Sequence, residues 1–81
     1  MGAPVDVVVY RSSKRELTYL YVPAATKPDS LPPAIVALGP WQRSFAFPLT
    51  AERQLAQADA ATVLVALVRD GFYVQFPPKD Y

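Results

Sequence analysis

Two short runs of strand-forming residues, five residues apart, constrain this chain more than anything else in it. Residues 5–11 (VDVVVYR) and 17–22 (LTYLYV) are dense in β-branched and aromatic side chains, and each predicts a strand. The polar segment between them, Ser12-Ser13-Lys14-Arg15-Glu16, has the length of a hairpin loop, so the two strands pair antiparallel. Successive side chains of a strand point to opposite faces. Val7 and Val9 therefore oppose Val8 and Tyr10, and Tyr19 and Tyr21 oppose Leu20 and Val22. Apolar residues on both faces predict a hairpin covered on both sides. The rest of the chain has to supply two layers.

With 81 residues there is room for one domain, residues 1–81, and a chain of this size buries only about 60–65% of the surface its unfolded form exposes. A hydrophobic content of 52% is enough for a core and too high for a disordered segment. Pro23 and Pro28 bracket an irregular linker, after which Asp29 or Ser30 is placed to cap a short helix over 34–38. Pro32 and Pro33 are tolerated only in its first turn, and Gly39-Pro40 stop it. Residues 44–49 (SFAFPL) predict a third strand, in which Pro48 cannot donate to a ladder and so lies near the strand's end or on a sheet edge. One helical turn over 51–56 is followed by Asp59 as N-cap of the main helix, 60–69, which ends at Asp70-Gly71. Leu64, Leu67 and Val68 are its expected buried stripe, with Ala60 and Ala61 allowing close approach. Residues 72–76 (FYVQF) form the last strand before Pro77-Pro78. The order β-β-α-β-α-β predicts an α/β (α+β) sandwich, a four-stranded sheet with helices packed on it.

Eight Lys and Arg against seven Asp and Glu give a net charge of +1. That balance sets up no long-range field for nucleic acid or an anionic membrane, although a local basic cluster can still act. The first residues carry no basic segment followed by an apolar one, and no secretory leader is expected. Neither uncharged stretch, 31–41 or 60–68, is long enough to span a bilayer, so no membrane partner is expected.

The chain has no Cys and no His. Disulfides, Ser-His-Asp and Cys-His nucleophiles and the usual zinc and iron sites are thereby excluded, and no cofactor or metal is expected. Three glycines, none spaced as a phosphate loop, exclude the familiar nucleotide cradles. Ser13 beside Lys14 reads as an ordinary solvated turn, since neighbours in a loop point apart and nothing buries the lysine. The carboxylates are scattered through expected caps, turns and strand ends, with Asp59 explained as a cap and Asp70 as a turn residue. An acid/base pair would require the fold to gather them.

The strongest candidate site is the turn itself. Arg11, Lys14 and Arg15 put three positive charges within five residues, beside the hydroxyls of Ser12 and Ser13 and the turn amides. Such a set can hold a phosphate or a carboxylate through charge-assisted hydrogen bonds. Tyr10, Tyr19 and Tyr21 flank it and can stack on a base where they are exposed. The alternative is a solubilising turn with its tyrosines in the core. Trp41, after Gly39-Pro40, reads either as an exposed anchor for a partner or as a lid over the core under the first helix; the lid is favoured, because small domains need the buried area.

Residues Tyr10-Arg11-Ser12-Ser13-Lys14-Arg15 and Thr18-Tyr19-Leu20-Tyr21-Val22 resemble the YcgL domain family of gammaproteobacteria, as do Pro48-Leu49, Leu55, Ala58-Asp59, Ala66-Leu67, Gly71-Phe72-Tyr73, Gln75 and Pro77-Pro78. The resemblance covers residues 10–78 and implies a small α/β sandwich in the bacterial cytoplasm; it brings no activity, cofactor or substrate. Three functions are therefore expected in order. The first is a non-enzymatic binding or adaptor module whose basic turn holds an anionic group on a protein partner or on RNA. The second is a small hydrolase or transferase using carboxylates and Arg, and the third a structural subunit that dimerises. A monomer or weak dimer is expected.

Overall fold

The computed structural model describes residues 4–50, 52 and 59–76. The expected helical turn over 51–56, together with Leu55 and Pro77-Pro78, falls outside them apart from Glu52. Within them the chain is a four-stranded antiparallel sheet with helices on both faces, as the two-faced hairpin requires. β1 (Val5–Ser12) and β2 (Tyr19–Pro23) form the hairpin, with Val9 opposite Tyr21 and Arg11 opposite Tyr19. β3 (Trp41–Leu49) pairs with β1, and β4 (Tyr73–Gln75) with β2, so the order across the sheet is β3-β1-β2-β4. Pro48 lies next to the end of β3, an edge strand, and satisfies both of the positions open to it.

One face carries Val7, Val9, Tyr21 and Leu49, packed against Ala60, Val63 and Leu67 of α2 (Ala60–Arg69). Asp59 caps this helix as expected, its Oδ2 accepting the Thr62 amide at 3.2 Å and the Thr62 hydroxyl at 3.0 Å. Gly71 ends it at φ 86°, donating to the Ala66 and Leu67 carbonyls from a left-handed backbone that favours glycine. The buried stripe differs from the expected one. Ala60, Val63, Ala66 and Leu67 face the sheet, Leu64 is half-buried, and Val68 is 86% exposed, because it lies one residue past the face that Leu67 defines. Ala61 is exposed as well.

The other face carries Val8, Leu20 and Val22, covered by Leu31, Ile35, Trp41 and Phe72. Its cover is a 3-10 turn (Pro28–Ser30) followed by α1 (Pro33–Val36). Asp29 and Ser30 belong to that turn and do not cap α1. The N-cap is Pro32, held extended at ψ 149° ahead of Pro33, and no side chain caps the helix. After the cis Gly39-Pro40 bond the chain enters β3 at Trp41, three residues earlier than expected. Gly39 is buried, and a Cβ there would lie 2.7 Å from the Trp41 backbone nitrogen. Close approach, not torsion, selects glycine at this point.

Candidate functional site at the hairpin tip

The hairpin end differs from its expected form. β2 begins at Tyr19, and Leu17 lies in the turn at φ 56° with 53% of its surface exposed. Ser12 closes β1 and is buried. Its hydroxyl donates to the Leu38 carbonyl at 2.6 Å and accepts the amides of Lys14 at 3.2 Å and Arg15 at 3.0 Å. The Ser13 amide donates to the Pro40 carbonyl at 2.9 Å, and the Ser12 amide to Thr18 at 3.0 Å. The tip is thus latched to the α1–β3 connection through two adjacent serines, one by its hydroxyl and the other by its amide.

Register decides what stands beside the tip. The pairing of β1 with β3 steps from Val9↔Phe45 to Tyr10↔Arg43, leaving Ser44 as the extra residue of a bulge. Beyond the bulge Gln42 lies opposite Arg11, and Trp41 opposite Ser12. The row Gln42, Arg11, Tyr19, Gln75 therefore crosses all four strands on the face that α2 covers further along. An open depression of about 590 Å³ is lined here by Arg11, Ser13, Lys14, Glu16, Leu17, Tyr19 and Gln42 among others.

The expected site residues separate into two groups. Arg11, Ser13, Lys14 and Arg15 are exposed; Arg11, Ser13, Lys14 and half-buried Tyr19 line the depression. Among the described residues the one ion pair is Arg69–Asp70 at 3.2 Å, so the side chains of Arg11, Lys14 and Arg15 have no internal acid or carbonyl. Ser12, Tyr21 and Trp41 are engaged inside the protein instead. The Tyr21 hydroxyl donates to Gln75 Oε1 at 3.1 Å, its ring meets Tyr73 edge-on at 5.9 Å, and burial, then Tyr73 and Tyr19, push its pKa up. The Trp41 indole donates to the Ile35 carbonyl at 3.0 Å and closes the core on the opposite face from Arg11. Glu16, Leu17 and Gln42 join the site without a signal that singles them out: Gln42 arrives through the bulge and Leu17 through a turn torsion.

The described carboxylates are all exposed, and only Glu16 lines the same depression as Arg11. No cluster of three or more metal-binding side chains occurs among the described residues. No helix among them is long and apolar enough to cross a membrane. A second depression of about 420 Å³ lies between α2 and β4, beside an exposed apolar stripe of Ala61, Val65 and Val68.

The YcgL domain model matches residues 7–78. The chain belongs to the YcgL domain family. It is 44% identical over 78 residues to a YcgL domain-containing protein of Hahella chejuensis, covering 93% of this chain and 74% of that one. A YcgL domain-containing protein of Xanthomonas axonopodis pv. citri is 44% identical over 70 residues, 85% of this chain and 81% of its own. Protein YcgL of Escherichia coli O139:H28 is 39% identical over 72 residues, covering 88% and 67%. These names state a domain and no activity.

Proposed function

We propose that this YcgL domain is a cytoplasmic, non-enzymatic binding module whose hairpin tip holds an anionic group on a partner macromolecule, protein or RNA. One observation carries the reading: three exposed cations without partners among the described residues stand on a backbone that Ser12 and Ser13 hold in place. A turn that served solubility alone would not need its amides bonded to a buried hydroxyl. Because the cations are already displayed, an incoming anion gains charge-assisted hydrogen bonds without first breaking internal ones. So few charges suit micromolar affinity. The apolar stripe of Val65 and Val68 favours a second reading, weak self-association, in which the tip has no part.

The test compares wild type with Arg11→Ala/Lys14→Ala/Arg15→Ala in affinity capture from a gammaproteobacterial lysate, with and without nuclease. The triple variant is expected to lose the captured material while its melting temperature stays nearly unchanged. Retention by the variant, or its unfolding, overturns the proposal. Light scattering on the same two proteins reads self-association, which the second reading requires to be equal in both.

A further inference from the structure

Resting on the proposed anion-binding role of the tip, we infer that the depression takes a short acidic peptide rather than a nucleic-acid backbone: an Asp or Glu carboxylate at Arg11 and Lys14, with an apolar neighbour against Leu17 and Tyr19. The basic half of the tip does not recognise a phosphate by main chain. The amides of Ser13, Lys14 and Arg15, which would form an anion-binding concavity there, are all donated internally. Beside Arg11 and Lys14 the anion is therefore met by side chains.

The charge pattern selects the kind of anion. Phosphate backbones are held by a succession of cations, each neutralising a phosphate. Here Glu16 lines the depression together with Arg11 and Lys14 and opposes the second phosphate of a strand. The other described cations do not extend a track: Arg15 is not among the lining residues, Lys27 follows the end of β2 away from the tip, Arg43 pairs opposite Tyr10 on the far face, and Arg69 is paired with Asp70. A single carboxylate suits this arrangement, with Glu16 left to accept a peptide N–H. Gln42, opposite Arg11, offers both a donor and an acceptor to a peptide group.

Leu17 supplies the apolar half. A non-glycine residue at positive φ is held there against its backbone preference, and such outliers collect at binding sites. The turn uses this backbone to set a half-exposed leucine on the rim beside half-buried Tyr19. A stacking base needs an open aromatic face, and Tyr19 is packed against the core cluster of Val7, Val9 and Tyr21. An aliphatic side chain in the depression would meet both Leu17 and Tyr19.

Fluorescence anisotropy with three labelled probes of equal net charge tests the assignment: a peptide of Asp and Leu, a peptide of Asp and Ser, and oligouridylate. The Asp/Leu peptide is expected to bind about tenfold more tightly than either other probe, a difference that one desolvated apolar side chain supplies. Leu17→Asn, which tolerates the left-handed backbone, should reduce Asp/Leu affinity to that of Asp/Ser and leave Asp/Ser unchanged. Arg11→Gln should weaken both peptides. Oligouridylate binding as tightly as the Asp/Leu peptide, or a silent Leu17→Asn, overturns the peptide assignment and leaves the anion-binding role standing. Absence of binding by all three probes overturns both.

Discussion

Two tyrosines two residues apart on β2 share one sheet face and have different fates. Tyr21 lies under α2, buried, its hydroxyl bonded to Gln75 and its ring against Tyr73. Tyr19 is one row nearer the hairpin end, half-buried, and forms a wall of the depression beside Arg11. The rows beneath the helix are bound to the core; in the row beyond it Arg11, Tyr19 and Gln42 line the depression, and Gln75 alone is buried. Helix coverage, not residue type, divides core from depression on this face.

The division predicts its largest contrast in stability. Leu49→Ala removes a fully buried side chain from the cluster of Val7, Val63 and Leu67. It should cost about 2–5 kcal/mol. In a chain of this length that lowers the melting temperature by more than about 10 °C. The tip substitutions Arg11→Ala, Lys14→Ala and Arg15→Ala should each stay within about 0.5 kcal/mol, as exposed, unpaired side chains do. Comparable losses at both places, read by thermal denaturation, would erase the distinction between core and tip.

Ser12 stands on the border of the two regions and gives the intermediate effect. Ser12→Ala removes the bond to Leu38 and strips the acceptor from two turn amides. The expected loss is about 1–3 kcal/mol, set by how far water reaches the orphaned groups. Amide exchange at Lys14 and Arg15 should accelerate while the amides of β1 near Val7 keep their protection. Unchanged exchange at those two amides would mean that the turn holds its shape without the hydroxyl.

How far the molecule was legible in its sequence follows the same border. The hairpin, α2 with its Asp59 cap and Gly71 stop, and the two-faced sheet all rest on local signals: period, caps and a left-handed terminator. The outer strands were legible as strands, but their places in the sheet were not, because nothing local states that β3 and β4 return to opposite edges. At the site, Arg11, Lys14 and Arg15 were visible as charge. The internal duties of Ser12 and Tyr21 were not, since their partners Leu38 and Gln75 lie 26 and 54 residues away. Gln42 depends on a one-residue bulge, and Leu17 on a torsion that leucine does not favour. Val68 was misplaced for a simpler reason: an all-apolar helix segment leaves several faces to choose from, and packing selects one.

The smallest effect is read at Tyr21 by pH. Tyr21→Phe keeps the ring against Tyr73 and removes only the hydroxyl, so at neutral pH it should cost about 0.5–1.5 kcal/mol. Burial raises the Tyr21 pKa above its ordinary 10.0, with Tyr73 and Tyr19 adding to the shift. A raised pKa means that the folded protein holds this proton more tightly than the unfolded chain. The associated stability is complete below pH 10.0 and is lost as pH rises through the folded value. Wild type should therefore lose stability in alkali more steeply than Tyr21→Phe, and the gap between their denaturation midpoints should narrow above pH 10.0. Parallel curves for wild type and Tyr21→Phe would show that the Tyr21 hydroxyl ionises as readily in the fold as outside it, and the contrast between the two rows would then rest on packing alone.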